Sequence, residues 1–141
     1  MDRIDIHINV KPLPLQEFHQ QSSSETSATI RERVMRARDI QSKRFKKIQG
    51  VYTNAQMNSA QLKNFCAIDN VSQQVLFSAM HRLKLSARAY DRILKVARTI
   101  ADLDGKAAIK IEHLSEAIQY RTLDKDNWRQ PVYPDANLYI A

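Results

Sequence analysis

Glycine is almost missing from this chain, with only Gly50 and Gly105 in 141 residues. A phosphate-cradling loop of the Gly-x-x-x-x-Gly-Lys type needs glycines a few residues apart, so the chain carries no nucleotide-binding loop of its own. Cysteine is scarcer still. The single Cys66 excludes a disulfide within the chain and a cysteine-only zinc site, and it fits a reducing cytosol. No apolar run approaches the roughly 20 residues of a membrane-spanning helix, so no membrane partner is expected. The opening residues, Met1-Asp2-Arg3-Ile4-Asp5, lack the basic, apolar and small-residue layout of a secretion signal, and a cytoplasmic location follows as the expectation. His7, His19, His81 and His113 fall in separate segments without metal-ligand spacing, so no metal site is expected. A Gly-x-Ser-x-Gly elbow is absent too, and nothing points to self-contained hydrolytic chemistry.

What is present is a packable, basic chain. Apolar residues make up 43%, and 22 Lys plus Arg against 15 Asp plus Glu leave a net charge of +7. The length suits one domain. Residues 3–10 alternate Ile4, Ile6, Ile8 and Val10 with polar neighbours, the period-2 pattern of a strand with one buried face. A lone strand cannot satisfy its backbone groups, so residues 1–10 read as the last strand of a sheet whose other strands are missing, and the chain as a fragment cut before it. Two prolines and a serine tract make 11–27 a linker. Helical periodicity then predicts an all-α bundle of four or five helices over 28–121. A first helix over about 28–47, capped by Ser27, places Ile30, Val34, Ala37 and Ile40 on one side. A short helix ends at Phe65, and one opened by Asp69 follows, with Val71, Val75, Ala79 and Leu83 recurring every four residues. The best-formed helix, about 87–102 behind Ser86, is stripe-patterned by Tyr90, Ile93, Leu94, Ala97, Ile100 and Ala101. Gly105 suits the left-handed position past its end, and a last helix spans about 112–121. Residues 122–141, with Pro131 and Pro134, read as a tail.

Two groups of cations invite a chemical reading. Arg31, Arg33, Arg36, Arg38, Lys43, Arg44, Lys46 and Lys47 face only Glu32 and Asp39 within the first helix, a candidate phosphate-contacting surface for nucleic acid. The competing reading is a solvated flank, since these residues are spread around the helix. Arg88, Arg92 and Lys95, at i, i+4 and i+7, form a cationic stripe, with Asp91 placed to pair with Lys95. Arg88 lies in the first helical turn, where the helix dipole favours anions.

Three segments carry a family resemblance. Asp2-Arg3-Ile4-Asp5-Ile6-His7-Ile8 resembles the Leu-Leu-Asp-Arg-hydrophobic-Asp segment near the end of the core domain in magnesium-chelatase-like AAA+ ATPases. Ser86 to Leu103 (SARAYDRILKVARTIADL) looks like the sensor-2 helix of that group, and Ile111 to Arg121 is similar to its closing helix. Within the group, the segments resemble the competence-associated ComM/YifB branch. The resemblance covers about residues 2–121 and implies the last strand of the ATP-binding core followed by the helical lid. It places the family's arginine finger on Arg3 and its sensor-2 arginine on Arg88, with Arg92 one turn further as a second nucleotide contact. Each would set a fixed guanidinium against negative charge on the γ-phosphate, a role lysine imitates poorly. ATP and Mg2+ would be cofactors of the full-length protein, whose partners would be the missing N-terminal core, further copies in a hexameric ring, and DNA. With Walker A, Walker B and sensor-1 segments absent, this chain alone is expected neither to bind nor to hydrolyse ATP. Two alternatives stand beside the lid: a stand-alone basic helical module for nucleic acid, and a subunit of a magnesium-porphyrin chelatase.

Overall fold

The computed structural model describes residues 4–8, 10 and 24–121. The expectations for Arg3, for the linker over 11–23 and for the tail over 122–141 lie outside the described residues. Five helices are present among the described residues: α1 (Ser27–Phe45), α2 (Ser59–Phe65), α3 (Asn70–Arg82), α4 (Ala87–Leu103) and α5 (Ile111–Gln119). A single 3-10 turn, Asn54–Gln56, sits between α1 and α2. No strand occurs among the described residues, and the bundle is all-helical as the periodicity predicts.

Side chains next to each helix start fix where it begins. Thr26, not Ser27, caps α1, its Oγ1 accepting from the Thr29 amide at 3.3 Å. Asn58 and Gln61 form a reciprocal box at α2, both bonds 2.9 Å. Asp69 caps α3 by accepting from the Ser72 amide at 2.7 Å, and Ser86 caps α4 through the Ala89 amide at 3.3 Å. At α5 the cap comes from inside the helix: Nδ1 of buried His113 accepts from the Lys110 amide at 3.0 Å. Because Nδ1 accepts, the proton of a neutral ring lies on Nε2, which faces Asp104 Oδ2 at 3.2 Å. Gly105 ends α4 at φ +68°, where a Cβ would strain the backbone.

Helix α4 is the centre. It packs against α5, α1, the 3-10 turn and α2, while α3 packs on α5. Ala97, Ala101 and Ala117 are fully buried and let α4 and α5 approach closely around Ile93, Leu76 and Leu114.

Two expectations need correction. Ile30 and Val34 are each 41% exposed, because burial on α1 begins only at Ala37 and continues through Gln41 and Phe45. The apolar stripe on the first turns of α1 is left partly exposed among the described residues. On α3, Val71 is exposed, and the inward face is Ser72, Leu76 and Ala79. The cause is geometric: a strict four-residue recurrence drifts about 40° per step around a 3.6-residue helix, so Val71 and Leu83 cannot share one face. Residues 4–8, expected to pair only with strands that are missing here, are in no strand among the described residues. They lie against the bundle, with the His7 amide donating to the Tyr120 carbonyl at 3.0 Å and buried Arg121 donating to the Ile4 carbonyl.

Candidate functional site

At about 100° per residue, the buried positions of α4 (Ile93, Ala97 and Ala101 among them) fall on one side, and Arg88, Arg92, Lys95 and Thr99 on the other. That second side faces an open hollow of about 310 Å3 lined by Asp5, Ala55, Arg88, Asp91, Arg92 and Lys95. The structure thus brings the three cations of the sequence stripe to one place, and adds Asp5 from the start of the chain and Ala55 from the 3-10 turn.

The three cations are not equivalent. Lys95 Nζ donates to the Ala55 carbonyl at 2.9 Å, which displaces the expected pairing with Asp91. Arg92 forms an ion pair with Asp5. Arg88 is exposed and makes no hydrogen bond or ion pair among the described residues. It occupies the first turn of a 17-residue helix, where unpaired amides and the macrodipole both favour an anion. Chemically, the hollow sets three cations against the carboxylates of Asp5 and Asp91, with the Arg88 guanidinium uncommitted among the described residues.

Behind it, a buried charge cluster sets the position of the 3-10 turn. Asp102 is fully buried and accepts four hydrogen bonds: from Arg44 Nη1 (2.7 Å) and Nη2 (2.5 Å), Asn54 Nδ2 (2.8 Å) and Arg98 Nε (3.1 Å). Arg44 Nη1 also reaches Asn54 Oδ1 at 2.8 Å, the Asn54 amide donates to Gln41 Oε1 at 3.3 Å, and Asn54 Nδ2 meets Thr99 Oγ1 at 3.1 Å. Arg98 completes itself on the Lys106 and Ala107 carbonyls at 2.6 and 2.8 Å. Burial pulls the Arg98 guanidinium below its ordinary value while Asp102 opposes the shift, and an arginine stays charged either way. Burial likewise pushes the neighbouring Cys66 thiol up to about 11, so it is an inert thiol rather than a nucleophile.

This cluster corrects the reading of the basic helix. Arg44 turns inward and is engaged by Asp102, so it leaves the candidate nucleic-acid surface. Arg33 is held by Glu25 at 2.9 and 3.2 Å. Arg31, Arg36, Arg38, Lys43, Lys46 and Lys47 are exposed. Helical geometry puts Arg36 and Lys43 on one side of α1 and Arg31 with Arg38 on another, while Lys46 and Lys47 lie in the turn past its end. Sequence reasoning missed Asp102, Arg98, Asn54 and Arg121. The i, i+4 spacing of Arg98 and Asp102 inside an apolar helix was the available signal for the first two. Arg121 and Asn54 had none, since their partners lie 117 and 48 residues away.

Known proteins resemble this chain over most of its length. The family model described as magnesium chelatase, subunit ChlI C-terminal, matches residues 24–121. The chain is 42% identical over 124 residues to competence protein ComM of Haemophilus influenzae, covering 87% of this chain and 23% of that protein. It is 39% identical over 127 residues to the uncharacterized protein YifB of Escherichia coli, covering 89% and 24%. The chain therefore spans about a quarter of the length of these relatives. No helix among the described residues is long and apolar enough to cross a membrane.

Proposed function

Since the chain belongs to the magnesium chelatase ChlI C-terminal family, we propose that it is the helical lid of a larger AAA+ ATPase that assembles into a ring in the cytoplasm. In this reading the core that precedes the lid holds ATP and Mg2+, and the lid supplies Arg88 to the terminal phosphate. The observation that carries the proposal is the uncommitted Arg88 guanidinium at the N-terminus of α4, in a hollow where Arg92 and Lys95 are already engaged. Arg3 remains the arginine-finger candidate by resemblance alone.

A residue that meets the phosphate chiefly as charge develops acts on kcat more than on KM. Arg88→Ala, in the protein joined to its ATPase core, should lower turnover on the order of 10–100-fold with little change in KM for ATP; a full arginine finger is worth about 10³–10⁵. Arg92→Ala should lose less. Unchanged turnover in a folded, ring-forming Arg88→Ala protein would reduce Arg88 to a solvated flank.

DNA is the substrate we propose for the ring. Support comes from the competence function named for ComM and from the exposed cations of α1. These contacts would be electrostatic and indifferent to sequence.

A further inference from the structure

We infer that Arg92 is a positioning residue, not a second phosphate ligand: its pair with Asp5 ties the segment before the lid to helix α4. The inference rests on the nucleotide reading of the hollow and divides labour within it.

Residues 4–8 have no strand partner among the described residues, yet they are held at three successive points. Ile4 offers its carbonyl to buried Arg121, Asp5 its carboxylate to Arg92, and His7 its amide to the Tyr120 carbonyl. The flanking ties both reach the C-terminal end of α5. Asp5, between them, is thereby presented to α4. The segment bridges the end of α5 and the first half of α4 along the edge of the hollow.

Charge makes the same division. Asp5 and Asp91 set two negative charges against Arg88, Arg92 and Lys95. For Arg92 to take a phosphate it would have to give up Asp5 and release the segment. Arg88 needs to give up nothing among the described residues. Arg92 also sits one turn, about 6 Å, further from the helix N-terminus, where the dipole's attraction for an anion has begun to fall off. With the side chains of Arg92 and Asp5 26% and 48% exposed, the tie is partly solvated and acts through geometry more than through raw stability.

A charge swap separates a strut from a ligand. Asp5→Arg, Arg92→Asp and the double variant are read in two ways: by amide exchange of His7 in this chain, and by ATP turnover and KM in the protein joined to its core. Each single variant should speed His7 exchange about two- to fivefold, the range for breaking a partly exposed pair. It should also lower kcat while leaving KM nearly unchanged. The double variant should restore both exchange and turnover, because the pair re-forms with its charges reversed. Restored exchange with turnover still depressed would overturn the inference, since an aspartate would then stand where a phosphate-binding arginine is needed. Unaltered exchange in both single variants would overturn it equally. Arg88→Ala keeps the two readings apart: if it leaves turnover intact the nucleotide reading fails, while His7 exchange still reports on the strut.

Discussion

Asp102→Ala is expected to cost about 3–5 kcal/mol, the range for breaking a buried ion pair from one side. Asp102 Oδ1 takes Arg44 Nη2 and Arg98 Nε, and Oδ2 takes Arg44 Nη1 and Asn54 Nδ2. Removing the carboxylate leaves two guanidiniums side by side, with side-chain exposures of only 13% and 3%. Arg98 would keep the Lys106 and Ala107 carbonyls, whereas Arg44 would keep only Asn54 Oδ1. The tie between α1 and α4 would therefore fail first. Asp102→Asn should fall between the alanine variant and the parent, because one amide oxygen can serve only one of the two donor pairs. Urea unfolding followed by far-UV circular dichroism measures the loss, with an unchanged m-value confirming a comparable transition. At roughly 4–8 °C per kcal/mol for a domain of this size, the alanine variant should melt roughly 12 °C or more below the parent. Replacing all three charges together (Arg44→Met, Arg98→Met, Asp102→Leu) should recover most of the loss, as buried ionic clusters exchanged for apolar ones often do. A loss below about 1 kcal/mol for Asp102→Ala would refute the reasoning, because only a cluster relaxed by water tolerates such a change.

Three further outcomes can be checked directly. Cys66 has a folded-state pKa near 11 against an ordinary 9.0, so its contribution to stability is complete below about pH 9 and is lost as pH rises toward 11; Cys66→Ala should flatten that alkaline decline in a series of melts, and in the parent a thiol reagent at pH 8 should label Cys66 only once urea opens the fold. The Asp69 carboxyl is held below its ordinary value by the Ser72 amide and hydroxyl, so its contribution is present above the unfolded pKa and lost as pH falls through the folded one; Asp69→Ala should weaken the acid limb of the stability profile and leave the alkaline limb alone. Duplex DNA should bind the chain without sequence preference at roughly 10⁻⁴–10⁻⁶ M, and because one side of α1 collects only Arg36 and Lys43, log K should fall against log salt with a slope of about −1.8; sequence-selective binding would favour the stand-alone module.

How much of this was legible in the sequence depends on the distance between partners. Helix starts were readable because the cap lies within three residues of its target: Asp69 and Ser86 stand where the pattern put them, and Thr26 displaced Ser27 by one position. The apolar stripe of α4 was readable because its period is local. The half-exposed first turns of α1 were not, since Ile30 and Val34 have the right spacing and simply lack a covering neighbour among the described residues. The alternation of residues 4–8 reports suitability for a sheet, and the sheet itself has to be supplied by other chain. The inward turn of Arg44 was hidden among seven like-charged neighbours, distinguished from them only by an aspartate 58 residues on.

Helix α4 shows how the proposed phosphate contact is held at one end and left uncommitted at the other. One side of it is the centre of the core, through Ile93, Ala97 and Ala101. The next side round carries Arg98 and Asp102, which lock the 3-10 turn to the helix through Asn54. The remaining side carries Lys95, Arg92 and Arg88, whose partners lie progressively further from that locked region: a carbonyl of the locked turn itself, a carboxylate on the segment before the bundle, and for Arg88 none among the described residues. Fixed geometry therefore runs out along α4 toward its N-terminus. A guanidinium at that end has a rigid backbone and a free head, the combination that a charge-sensing contact requires.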